Sequence, residues 1–425
     1  PGVVFTGDQG GQLYIRGGSP IQNKVLLDGM IIYSPFHSIG LFSVFDTDII
    51  RNTDVFTGGF SAEYGGRISS IMDIKTIDGN KKEFGGKLSA NTFGSKLFVE
   101  GPLSKSGNSS FVFSGKTSYL DKSSDLIYKA PILYFDEKGL PYSYTDLYGK
   151  ISSKAKNGSK ISVFGFNFAD NVNYENISEL NWDSKGVGSE FILIPGGSPV
   201  LIEGNFAWSS YNISLDEESS ALRTSGIQGF NMGFDFTYFQ PKGKIKYGFD
   251  IHGFSTKFST YNSINSEIRQ DENTSEFSAY VNYQFNATRW IIEPGFRLQK
   301  YTLGISPEPR IGIKYIASDR MRIKLSSGLY SQNILSTTSD RDVVNLFTGI
   351  ISSPEEIPEK PDGTSYASKF QKARHLITGI EYDVNNNIDF QIEGYIKDFT
   401  QLTNINRNMN SNDDDAFIIE SGIAK

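Results

Sequence analysis

The sequence predicts an all-β-dominated fold, a large antiparallel transmembrane β-barrel preceded by a small, separately folded piece. Three observations carry this. Apolar and polar residues alternate with period two along most of the chain from about Glu83 onward. The connections between these runs themselves alternate, short then long. The longest aliphatic stretches, such as Phe191-Ile192-Leu193-Ile194, are only a few residues long, so no helix reaches the roughly 20 apolar residues that span a bilayer.

Composition sets the outer bounds. A chain of 425 residues, 38% hydrophobic and with Gly 43, Tyr 22 and Phe 32, suits one large all-β body better than several small domains. A mean hydropathy of -0.31 excludes little, because lipid-facing and lumen-facing residues alternate in a membrane barrel and average out. Cys 0 fits a bacterial envelope protein without disulfides, and many cytoplasmic proteins equally. The net charge of -7 argues against a polyanion-binding surface, so no nucleic-acid partner is expected. The chain opens at Pro1 with neither an initiator Met nor an export leader, as a mature fragment would.

Residues 1–78 contain close-set glycines and short apolar strands, Val25-Leu26-Leu27 and Ile71-Met72-Asp73-Ile74 among them. They read as a compact globular unit joined directly to a barrel over 79–425. In the barrel portion, Phe230, Met232, Phe234, Phe236 and Tyr238 alternate with Asn231, Gly233, Asp235 and Thr237. Ile245, Tyr247, Phe249 and Ile251 follow the same rule, as do Met321, Ile323, Leu325 and Leu329, and Phe390, Ile392 and Ile396. Each run is about ten residues, the length of a tilted membrane-crossing strand, and there are about sixteen of them.

Short turns are expected near 101–108, 156–159, 195–199, 240–243, 286–288, 317–320 and 384–387. Longer connections are expected at 120–143, 171–178, 215–220, 259–267, 304–308, 331–369 and 401–412. This parity matches a barrel with tight periplasmic turns and longer extracellular loops. A soluble sandwich has no reason to keep it. The 331–369 segment, with Pro354, Pro358 and Pro361, is the leading extracellular loop or else a disordered excursion.

Four motifs stand in order before the barrel: Leu13-Tyr14-Ile15-Arg16-Gly17-Gly18, Val25-Leu26-Leu27-Asp28-Gly29, Ser61-Ala62-Glu63-Tyr64-Gly65-Gly66-Arg67 and Ile71-Met72-Asp73-Ile74. Their order, spacing and position resemble the plug domain of TonB-dependent outer-membrane receptors. The closest likeness is to the large Bacteroidota group whose plug follows a carboxypeptidase-regulatory-like domain. That group's barrel also shows patterns like Glu100-Gly101-Pro102-Leu103 and Pro309-Arg310. The resemblance covers essentially the whole chain. It implies a small α+β plug in the lumen of a barrel of 22 strands, of which about sixteen lie in this chain, with both ends of the whole protein missing.

The resemblance also assigns roles. The family arginine at Arg16 pairs with barrel-wall carboxylates, whereas the second plug arginine is replaced here by Val55-Phe56-Thr57-Gly58-Gly59, leaving Arg67 as a substitute. Gly17, Gly18, Asp28, Gly29, Tyr64, Gly65 and Gly66 read as turn chemistry that tolerates positive φ. The plug apices would fall at 19–23 and 33–41, offering Ser19, Gln22, Tyr33, Phe36, His37 and Ser38 to a ligand. For Phe36 and His37, packing against the wall is an equal reading.

Catalytic chemistry finds no foothold. The three histidines, His37, His252 and His375, form no zinc-type cluster, and no enzyme or resident cofactor is expected. Ser110 to Thr117 ends in Ser-Gly-Lys-Thr like a phosphate loop, but it lacks the first glycine and alternates as a strand. Asp413-Asp414-Asp415 offers the oxygen ligands calcium prefers in extracellular loops, although loop aspartates are more often solvated. The resemblance implies import of a scarce nutrient across the bacterial outer membrane, driven by the proton-motive force. TonB and its inner-membrane motor would act through a segment ahead of Pro1, with lipid around the barrel and a surface lipoprotein or other complex subunits as further partners. The alternative is a plugged-barrel scaffold in an outer-membrane assembly that does not transport.

Overall fold

The computed structural model describes residues 2–6, 12–37, 42–128, 140–174, 177–218, 221–261, 267–302, 304–337, 347–355, 357, 359–360, 363–366, 368–406 and 417–425. The N-terminal unit opens with β1 (Val3–Thr6) paired to β2 (Gln12–Ile15). A four-stranded mixed sheet follows, in the order β4-β3-β6-β5, from β3 (Asn23–Leu27), β4 (Met30–Ile32), β5 (Ile50–Phe56) and β6 (Ser70–Thr76). β3 and β6 run parallel in its centre, and β4 is a three-residue edge strand joined only to β3. Among the described residues of this unit the only helical element is a 3-10 turn, Pro20–Gln22, so the α component expected of it is not among them.

The rest is one antiparallel meander. It comprises β7 (Gly85–Ala90), β8 (Gly94–Pro102), β9 (Ser109–Ser118), β10 (Tyr142–Lys154), β11 (Lys160–Tyr174), β12 (Ser178–Leu193), β13 (Val200–Glu217), β14 (Arg223–Gln240), β15 (Gly243–Tyr261), β16 (Glu267–Asn286), β17 (Trp290–Tyr301), β18 (Gly304–Ser318) and β19 (Met321–Gln332). After a short hairpin of β20 (Ile334–Ser336) and β21 (Ile350–Ser352), the large sheet resumes with β22 (Gln371–Asn385), β23 (Ile388–Ile405) and β24 (Phe417–Ala424). Sixteen strands form this sheet, with β7 and β24 at its edges. One helix, α1 (Leu120–Tyr128), sits in the connection after β9.

Alternation explains the two faces. On β16, Phe277 and Val281 point out and are exposed, while Glu276, Ser278, Tyr280 and Asn282 are buried on the inner face. Exposed Leu376, Ile380 and Tyr382 repeat this on β22. Such a continuous apolar belt would be a liability in water and is the solvated face in lipid. No helix among the described residues is long and apolar enough to cross a membrane.

Two expectations need correcting. Strands reach 20 residues in β16 rather than about ten, and the expected loops give up 171–174, 215–217, 259–261 and all of 304–308 to strand. The cause is chemical. Beyond the membrane both faces of a strand meet water, so apolar alternation stops while backbone pairing continues, as in the polar start of β16, Glu267 to Thr274. Long connections survive at 119–141, 333–370 and 406–416, all on one rim.

The described part of the 333–370 connection folds inward. The N–H of Ile350 donates to Ser225 Oγ on β14 at 2.9 Å, and that of Ser352 to Gln270 Oε1 on β16 at 3.1 Å. Ile334, Leu335, Phe347, Ile350 and Ile351 then join one hydrophobic cluster with Val25, Leu27, Met30 and Ile32 of the small unit and with Phe164, Phe166 and Phe168 of the wall. The small unit therefore packs inside the curved sheet, and the main core lies in the lumen.

Candidate functional site

The inner wall from β17 to β23 holds the plug chiefly through its backbone. Arg297 Nη1 donates to the carbonyls of Ala62 and Glu63, both at 3.2 Å, while its Nη2 pairs with Asp250 at 2.9 Å. Arg310 Nη1 donates to Ser61 O at 2.6 Å and Tyr64 O at 2.5 Å, and its Nη2 pairs with buried Glu308 at 2.6 Å. Tyr330 reaches Phe60 O, and Gln332 reaches Ile21 O while accepting from the Ile68 N–H. Lys397, fully buried, spends its donors on Ile15 O, Ser69 O and Ser69 Oγ at 3.0–3.1 Å. His375 bonds Ile68 O through Nε2 at 2.9 Å and accepts at Nδ1 from the Gly59 N–H at 3.4 Å.

This explains two motif features. A Cβ at Gly65 would lie 2.2 Å from Arg297 Nε, so the Tyr-Gly-Gly turn is bare because a barrel guanidinium occupies the space. At Gly59, φ +63, a Cβ would lie 2.2 Å from Ser326 Oγ, so the segment without the second plug arginine lies directly against the wall. Cations reach inward from the barrel instead.

Arg16 has φ 49 and is buried; its guanidinium ion-pairs with Glu393 on β23 and lies 5.2 Å from the Tyr395 ring. Left-handed backbone costs about 1 kcal/mol for a non-glycine residue, so the turn is held by its surroundings. Arg67 is buried too, but it donates to the plug's own Asn23 O and Gly66 O, with Glu276 as the barrel charge acting on it. Burial pushes its guanidinium down. Its hydrogen bonds tie plug to plug.

Asp28 does more than turn the chain. It has φ 50 ahead of Gly29 at φ 84, and its carboxylate accepts from the Thr76 N–H at 2.9 Å, Tyr148 Oη at 3.0 Å and Lys150 Nζ at 3.2 Å. Burial pushes the carboxyl up, but Lys150 and the Thr76 bonds outweigh this and hold it below the usual carboxylate range. Sequence reasoning missed Lys150 and Tyr148. The signal available was Tyr-x-Lys on inward positions of a barrel strand.

The described part of the apex beyond β4 reaches His37, which is fully buried between β10 and β11. Its Nε2 is 2.9 Å from Asp146 and its Nδ1 3.4 Å from Asp170, and it stacks on Tyr144 with ring centroids 4.2 Å apart. Lys116 stands 3.1 Å from Asp146. Burial pushes the imidazole down, but the two carboxylates more than offset it and hold it above its ordinary value. Tyr144, Asp170 and Trp182 also line an open vestibule of about 840 Å³ with Asp183, Asn212 and Lys257. His37 thus ties the apex to the wall behind the vestibule lining.

The other apex expectations divide. Gln22 is buried and caps its own turn, its Oε1 accepting from the Ser19 N–H at 3.0 Å. Phe36 packs on Phe5, Tyr33 belongs to the margin of the core, and Ser38 lies outside the described residues. So does Asp413-Asp414-Asp415. Among the described residues no group of His, Cys, Asp and Glu could hold a metal ion. The phosphate-loop lookalike is continuous strand in β9, with Lys116 Nζ donating to Ser43 O at 2.7 Å.

Residues 1–70 match the family model of the TonB-dependent receptor plug domain. The chain has the plug-and-barrel fold of a TonB-dependent receptor. It is similar to the siderophore receptor PirA from Pseudomonas aeruginosa, at TM-score 0.67 and 12% identity over 100% of this chain and 75% of that one. It is likewise similar to the FrpB iron transporter from Neisseria meningitidis, at 0.69 and 14% over 100% and 73%. The ferric enterobactin receptor of P. aeruginosa gives 0.64 and 12% over 95% and 68%. A comparison with the curated proteins gives no match. The family model thus accounts for the N-terminal unit, and the solved structures for the plug-and-barrel fold of the whole chain.

Proposed function

We propose that this receptor imports a scarce nutrient across the outer membrane, with the plug moved by TonB and the proton-motive force. The observation that carries the reading is a vestibule at the long-connection rim, separated from the opposite rim by a plug held through hydrogen bonds and ion pairs. Such bonds exchange for water when the plug is pulled, whereas a covalent seal would not. Glycan, peptide and metal chelate all suit a vestibule with aromatic, amide and carboxylate groups. The likeness to a siderophore receptor and an iron transporter puts metal chelate first for testing.

The test is uptake by cells carrying the full-length protein, offered a panel of ferric siderophores, oligosaccharides and peptides, with and without functional TonB. Depletion of one solute that stops without TonB is the expected result. A plugged assembly that stays intact while no solute is depleted would instead make the protein a scaffold.

A further inference from the structure

An uptake receptor needs a route past its plug, and two cavities lie along one part of the lumen wall. The vestibule occupies the long-connection halves of β11 to β15, at Asp170, Trp182, Asn212, Gly226 and Lys257. A second cavity of about 390 Å³ lies between the plug sheet and the short-turn halves of the same strands, at Lys160, Glu190, Glu203, Asp235 and Lys246. The vestibule lining is mixed, that of the second cavity is mainly polar, and the two share one wall.

What separates them is β4. Met30 and Ile32 are buried against the wall, where a Cβ on Gly186 would lie 2.6 Å from Met30 Sδ, while Ile31 is buried beside the second cavity. Three residue pairs join β4 to β3, and β4 has no second sheet neighbour. Its two ends are tied to the barrel. At one end Asn205 and Asn231 Nδ2 both donate to Gly29 O, at 3.3 and 2.9 Å; at the other, His37 is clamped by Asp146 and Asp170. Asp170 also faces the vestibule, so one residue touches both the ligand space and the apex clamp.

We propose that the solute passes along the β11 to β15 wall and that β4 is the gate between the two cavities. This rests on the uptake reading for its purpose, but the route is testable without substrate or TonB. Short-range rearrangement suffices, because Asp28 stays anchored to Lys150 while the strand beyond Gly29 swings.

The experiment is potassium chloride current through the full-length protein in planar bilayers. Met30→Gly with Ile32→Gly should conduct about tenfold above wild type, since it empties the seal. The sequence has Cys 0, so single cysteines can then map the route. A charged methanethiosulfonate should alter the current with Glu203→Cys or Ser214→Cys and leave it unchanged with Ser326→Cys, on the opposite wall. Asn205→Ala with Asn231→Ala leaves the plug sequence intact and should raise current about threefold, which covers a gate variant that fails to fold. Silence of both variants overturns the proposal. So does current sensitive at Ser326→Cys, or equal current from Phe60→Ala with Tyr330→Ala. Absent uptake with a mapped current would sink the transport reading alone.

Discussion

On β17 to β23 the barrel reaches the plug with Arg297, Arg310, Tyr330, Gln332 and Lys397, all ending on main-chain carbonyls. On β12 to β14 two asparagines share the single carbonyl of Gly29 and much of the remaining interface is cavity, with the Lys246–Glu63 ion pair on β15 at its border. The difference lies in what must be broken for the plug to move. Buried charge-assisted bonds are worth roughly 1.5–3 kcal/mol each and neutral ones about 1 kcal/mol, so a pull on the plug would free the β12 to β14 side first.

The largest break in that contrast is expected from Arg310→Ala. It removes the donor to Ser61 and Tyr64 and leaves Glu308 buried without its cation, at a cost of about 3–5 kcal/mol. Hydrogen exchange across 60–64 should lose most of its protection while 30–32 is little changed. Asp28→Asn comes next, at about 3 kcal/mol, because Lys150 loses its buried plug counter-charge and keeps Glu190 at 3.0 Å and Asp78 at 3.7 Å. Thermal unfolding of the plug should show it.

Arg16→Ala should cost less, about 1–2 kcal/mol, since the Glu393 side chain is 28% exposed and can be solvated. Unchanged exchange protection of 12–18 would show that Arg16 does not hold the plug. The smallest effect is pH-dependent. Because His37 is held above its ordinary value, its clamp is complete below about pH 6.5 and weakens as pH rises through the folded value. Ring resonances of His37 and exchange across 33–37 should loosen together on raising pH. Loosening on acidification would reverse the assignment.

Strand existence and strand count were legible because the lipid-facing positions must be apolar at every second residue. Strand length was not, since water on both faces erases that period. Plug identity was legible in glycines and aspartates whose backbone conformation few residues adopt, as Asp28 and Gly29 show. Their partners were hidden. Lys150, Arg297 and Lys397 look like ordinary inward polar residues until the curvature of the sheet sets them against the plug. The expectation for Gln22 and His37 faced outward for a related reason: sequence marks a loop, but only packing decides which way its side chains turn.

The grip of Arg297 and Arg310 on carbonyl oxygens rather than plug side chains has a consequence for exchange of parts. Every residue type supplies that oxygen, so a substitution at Ser61 leaves the docking points in place as long as the turn keeps its path, Ala62 stays small and Gly65 stays bare. A transplanted segment with the same spacing would find the same sockets, making this wall a standard fitting into which foreign plugs can be grafted.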